Sequence, residues 1–206
     1  MFSQLAKSPL TMVSIILLAC STYFFFGAQK IIAERATTAL KYFKDGTRVI
    51  LLGPQDGDEL EIRDADGRKA IVRLQGIKTF SQSAKESRND GFANGAMKYM
   101  ATYEGKMATI RVKGKPTKGR KLIIAYVDLD GPKEGQSIDL GLKLIEQGFS
   151  VVHTRFPAAR EGEYLNAEKM VRDQKKGLWA NEDMKRRVTE AKVAWNRARN
   201  EKETKK

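Results

Sequence analysis

The run from Asp56 to Thr79 does most to limit what this chain can fold into. Asp56-Gly57-Asp58 is a turn signal that carries two carboxylates. Leu60 and Ile62 then alternate with Glu59, Glu61 and Arg63, the period of a strand with one face buried. Asp64-Ala65-Asp66-Gly67 is a second turn, so the chain doubles back. The return strand runs from Ala70 to Ile77 and carries Arg73 between Val72 and Leu74.

The flanking pattern supplies the rest of a small α+β domain. Val49–Leu52 is expected as a first strand, broken by Gly53-Pro54. Phe92 to Tyr103 has helical spacing at Phe92, Ala96, Met97, Met100 and Tyr103. Met107–Val112 and Leu122–Leu129 alternate as strands, and Ile138–Gln147 is expected as a helix stopped by Gly148. Phe149–His153 follows as a short strand. Arg160–Lys176 is expected as a helix with Leu165, Met170 and Val171 on its apolar face. On the last helix Met184, Val188, Ala191, Trp195 and Ala198 form a stripe that fits docking on its own domain, on a partner helix or on a membrane surface. Five strands with a helix between the third and fourth suggest an OB-type barrel with packed helices.

Leu10 to Ala28 is uncharged over 19 residues, with Tyr23 and Phe24-Phe25-Phe26 at its end. At about 1.5 Å per helical residue it matches a hydrocarbon core of about 30 Å, so it is expected as a retained single transmembrane helix. The organisation that follows is a tail over 1–9, the span over 10–28, a juxtamembrane helix over 29–46, a domain over 47–181 and a basic helical tail over 182–206. Lys30, Arg35, Lys41, Lys44 and Arg48 put the domain on the cytoplasmic or matrix side by the positive-inside rule, and a bacterial signal anchor would put it in the periplasm.

The net charge is +13, from 38 Lys/Arg and 25 Asp/Glu. Such a chain is predisposed to polyanions, nucleic acid or anionic lipid. The segment from Met184 onward holds nine Lys/Arg and three Glu, so much of the excess sits in a tail. Cys20 is the single cysteine and His153 the single histidine, which excludes disulfides and multi-histidine zinc sites within the chain.

The Asp-Gly-Asp turn, the hairpin with its arginine and the later elements resemble a staphylococcal nuclease-like (thermonuclease-like) domain. The late elements are Leu122–Val127 with Asp130-Gly131, IDLGLKLIEQGFSVV, and the helix ending KKGLW. The resemblance runs to about Asn181. It implies a calcium-dependent phosphodiesterase on DNA or RNA, with carboxylate oxygens on the metal, a glutamate activating water and two arginines on the phosphate. Asp58 matches the first metal-binding aspartate, Arg73 the first arginine, and Thr79 is also matched. Lys78 stands where a metal-binding aspartate is expected and Ser81 where the glutamate is expected. Leu122 stands at the second arginine, for which Arg120 could substitute if the loop shifts by two residues. A lysine repels a dication, and serine is no base for water. Glu86 is the nearest acid further along that loop. Without the pattern, Asp58 could simply cap its turn, and Arg73 could pair with Asp58 or Glu59.

The favoured expectation is therefore a membrane-anchored, catalytically degenerate module, a structural or interaction subunit of a membrane complex. It has no cofactor, and its setting is the mitochondrial inner membrane or, alternatively, a bacterial inner membrane. The second expectation is an active calcium-dependent endonuclease using Arg73, Arg120 and Asp58. The third is a non-catalytic nucleic-acid binder with Phe80 as a stacking candidate. Lys113, Lys115, Lys118, Arg186, Arg187 and Trp195 are the candidate contacts for nucleic acid or a partner.

Overall fold

The computed structural model describes residues 13–14, 17–18, 20–28, 42–80, 90–112, 122–133 and 135–204. The stretch 20–28 is helical and its aromatic side chains, Tyr23 to Phe26, are exposed. Among the described residues no helix is long and apolar enough to cross a membrane. The remainder of the expected span lies outside the described residues, and so does the expected juxtamembrane helix over 29–46 except for 42–46, of which Tyr42 alone is helical.

The domain is built from β1 (Arg48–Asp56), β2 (Glu59–Arg63), β3 (Lys69–Leu74), β4 (Ile77–Lys78), α1 (Asp90–Ala101), β5 (Met107–Arg111) and β6 (Leu122–Asp130). It continues with β7 (Ser137–Asp139), α2 (Leu140–Glu146), β8 (Val151–Val152), α3 (Glu161–Asp173), a 3-10 turn over Gly177–Ala180 and α4 (Glu182–Glu203). The sheet order is β3-β2-β1-β5-β6-β7, and β3 also pairs with β6. That parallel pairing, Ile71 to Leu122 through Leu74 to Ala125, closes a five-stranded barrel, while β7 extends β6 at its far end. Alternate side chains fill the interior: Val49 and Leu51, Leu60 and Ile62, Val72 and Leu74, Ala108 and Ile110, Ile123 and Ala125. Phe43, just ahead of β1, is buried in the same core.

Several expectations change. Gly53-Pro54 does not end β1. The strand runs on to Asp56 through register shifts at Leu51/Gly53 and Pro54/Asp56, where a bulge tolerates a left-handed glycine and a proline without an N–H. Ile138 is not helical. It pairs with Leu129 in β7, and the helix starts two residues later because the Asp139 carboxylate caps it, accepting from the N–H groups of Gly141 (2.8 Å) and Leu142 (3.2 Å). The buried face of α3 is Tyr164, Glu168 and Val171. Leu165 is exposed and Met170 is 62% exposed, because two polar residues that find partners take the inward positions.

The β4–β8 ladder sits outside the barrel and pairs Ile77 with Val152 and Lys78 with Val151. A second cluster of Val151, Val171, Leu178, Trp179, Met184 and Val188 joins β8, α3 and α4. Where this layer turns, Gly148 and Gly177 lie back to back. Leu178 N–H donates to Gly148 O at 2.9 Å, and a Cβ on Gly177, whose φ is +61°, would come within 2.4 Å of that oxygen. Gly177→Ala is therefore expected to cost at least about 2–3 kcal/mol, from left-handed strain plus backbone displacement. Urea unfolding of the two proteins measures it, and an unchanged midpoint would refute the close approach.

Candidate functional site

The turn between β1 and β2 sets Asp58 inside the protein, where it is 1% exposed. Gly57 permits this by close packing: a Cβ there would lie 2.5 Å from Thr79 Cγ2. Thr79 Oγ1 donates to Gly57 O at 2.9 Å and is also hydrogen-bonded to the buried Ser150 hydroxyl. Leu74 N–H donates to Asp58 O at 2.9 Å, which ties the end of β3 to the same turn.

Lys78 reaches this turn from β4. Its Nζ lies 2.9 Å from Asp58 Oδ2, and Thr79 N–H approaches the same oxygen at 3.5 Å. Asp58 Oδ1 is buried, with no hydrogen-bond partner among the described residues. Asp58 does not cap its turn: the Gly57 N–H is taken by Asp56 Oδ1 at 2.7 Å. Arg73 stands directly opposite Glu59 in the β2–β3 ladder, and its Nε (2.8 Å) and Nη2 both donate to Glu59 Oε1. Its neighbour across the β3–β6 seam is Ile124, 40% exposed, while Leu122 pairs with Ile71. The seam position beside Arg73 is thus apolar, and so is Leu122, where the resemblance places the second arginine.

Residues 71–181 match the family described as staphylococcal nuclease homologue, more than half of the chain. The chain belongs to this family. A search of the curated proteins finds no match. The match begins within β3, so Asp58, the first two strands and Phe43 lie ahead of it, although they complete the barrel. It ends at Asn181, before α4.

The staphylococcal nuclease homologues' implied calcium is tested by the donor set. Calcium takes about six to eight oxygen ligands, several of them carboxylates. Here the buried Asp58 carboxylate faces an ammonium group, and among the described residues no three His, Cys, Asp or Glu come together in a metal-binding cluster. These residues do not fit a dication. Ser81, Glu86, Arg120, Lys113, Lys115 and Lys118 lie outside the described residues.

His153 is brought to the edge of the site, its N–H donating to Gly76 O at 2.9 Å. Burial first, then the charges of Lys78 and Arg155, hold its pKa below the usual histidine value, with Asp58 opposing. Its ring meets Trp195 edge-on, with centroids 4.5 Å apart. Trp195, half-buried, thereby packs α4 onto the domain, alongside the buried Met184 and Val188. Arg186 lies 3.5 Å from Asp183, and Arg187 is half-buried. Ser150 escaped the sequence reading. A serine two residues after a helix-ending glycine carries no chemical signature until the fold sets it against Thr79.

Proposed function

We propose that this chain is a catalytically silent member of the staphylococcal nuclease homologues. In this reading it is held at a membrane by its apolar N-terminal segment and acts as a structural or interaction subunit of a protein complex. The observation that carries the reading is the Lys78 ammonium on Asp58, where the family's chemistry needs a dication. A phosphodiester is already anionic, and its cleavage builds further charge that metal and arginine must neutralise. Arg73 is already engaged by Glu59, and its seam neighbour is an isoleucine. Removing one catalytic group commonly costs several orders of magnitude, so losing the metal ligand and the base together leaves little of this mechanism.

The membrane setting is supported by the uncharged run 10–28 and by the exposed helical aromatics Tyr23 to Phe26, which suit a lipid interface. A mitochondrial inner membrane is the proposed location, with a bacterial inner membrane as the alternative. The partners are other protein subunits.

The full chain in mild detergent is expected to leave single-stranded DNA and RNA intact, equally with millimolar calcium and with a chelator. Calcium-supported cutting that Arg73→Ala abolishes would overturn the silent reading. Affinity purification from the native membrane is expected to bring stoichiometric subunits with it.

A further inference from the structure

The Asp58 carboxylate poses a question that silence alone does not answer: why it is kept at all. A carboxylate 1% exposed must be paired, hydrogen-bonded or neutralised, because an isolated buried charge is far costlier than its solvated form. In a protein with no use for the metal, exchange for an apolar residue would remove that cost. Yet Asp58 remains, and its strongest partner is a lysine 20 positions along the chain.

We propose that Lys78 is a tethered stand-in for the dication, a resident counter-ion that turns the former binding site into a structural staple. The inference rests on the reading of the site as metal-free, but it concerns the fold and not the reaction.

The topology says what is stapled. β4 is two residues long and, among the described residues, pairs only with β8, itself two residues long. Neither strand belongs to the barrel ladder. In the small ladder, β4 is fastened to the barrel by Ile77 in its core, and to the β1–β2 turn at two places: Lys78 Nζ on Asp58 Oδ2 and, just past the strand, Thr79 Oγ1 on Gly57 O. The ladder also carries the second apolar cluster through Val151, so the pair joins the barrel to the layer that holds α3 and α4. A bound dication could join a turn and a loop in the same way, by taking oxygens from each. A lysine does it within the chain, with no ligand to lose. Among the described residues Asp58 has one oxygen on the ammonium and one with no partner, so removing Lys78 leaves it a single weak donor there, Thr79 N–H at 3.5 Å.

The test is a double-mutant cycle on the full chain, read as thermal unfolding by circular dichroism with calcium and with a chelator. The native Tm is expected to be the same in both. Lys78→Met should lower it on the order of 10 °C, the size expected for one half of a buried pair left alone. Asp58→Asn/Lys78→Met should recover most of that loss. Lys78→Asp should regain stability only with calcium, since two carboxylates then face each other across the vacated gap. Additive losses in the cycle, an undiminished Tm in Lys78→Met, or a calcium-raised Tm in the native chain would each overturn the proposal. So would a Lys78→Asp variant indifferent to calcium. If Lys78→Met does not fold, a folded double variant supports the staple and an unfolded one refutes it. Nucleic-acid cutting plays no part in these readouts, so failure here and failure of the silent reading are told apart.

Discussion

Replacing Arg160 with methionine is expected to lower stability by about 3–5 kcal/mol, the range for stripping one partner from a buried ion pair. Arg160 opens α3 and spends its guanidinium on two other elements. Nη1 and Nη2 donate to Asp128 of β6 at 2.6 and 2.8 Å, and Nη1 also lies 2.6 Å from Asp139 of β7. The guanidinium stacks on the Tyr126 ring at 4.5 Å, and the Arg160 N–H donates to the Tyr126 hydroxyl at 3.2 Å. The bond to Asp128, above all, raises the arginine's pKa further. Asp139 has other duties: it caps α2 and accepts from Tyr164 OH at 2.7 Å. Methionine would keep much of the stem's volume and leave the partly buried Asp128 and Asp139 facing each other. Arg160→Lys should recover only part of the loss, because one ammonium cannot reproduce the planar fork. Urea unfolding with a linear extrapolation measures both. A loss below about 1 kcal/mol in Arg160→Met would mean that the network is a solvated ornament.

How much of this was legible in the sequence depends on how far apart the partners lie. The hairpin was legible because alternation in Glu59–Arg63 and Ala70–Leu74 is a local signal with one buried face. It left Arg73 with two candidate partners, and the register chose Glu59, directly opposite, over Asp58. The displaced chemistry at position 78 could be read from residue type alone. That the lysine reaches back to Asp58 depends on where β4 sits, which two residues do not announce. Barrel closure was inferred only from strand count. The parallel seam between β3 and β6 joins residues about fifty positions apart, and no periodicity encodes it. The errors share a cause. Apolarity places Ile138 in the helix and Leu165 and Met170 on the inner face of α3, but an aspartate cap decides the first and a buried glutamate the second. Polar residues that find a partner compete with leucine and methionine for the interior, and the partner lies elsewhere in the chain.

That glutamate gives the other large effect, and it bears on where the folding unit ends. Lys192→Met is expected to cost about 3–5 kcal/mol for the same electrostatic reason as Arg160→Met. Glu168 is 2% exposed on α3. Its Oε2 pairs with Lys192 of α4, while Oε1 accepts from Val152 N–H at 3.3 Å. Without Lys192 the carboxylate keeps one long hydrogen bond and, among the described residues, no ion-pair partner. Glu168→Gln in the same background should restore a large part of the stability, since a neutral amide tolerates burial better than an unpaired charge. The same pair predicts what truncation does. The family match stops at Asn181, yet α4 beyond it supplies Met184 and Val188 to the second cluster, Trp195 to His153, and Arg199 to Glu161 at 2.7 Å. A chain ending at Asn181 would lose the cation for Glu168 and uncover Val151, Val171 and Trp179 together, so it should lose the cooperative unfolding of the full chain. If the truncated chain unfolds with the full chain's midpoint, α4 is an appendage and the Lys192 effect must vanish with it. If it does not, the tail that looked in sequence like a basic extension is the outer wall of the domain. Many of its charges then lie on the solvent side of a helix whose other side is already occupied.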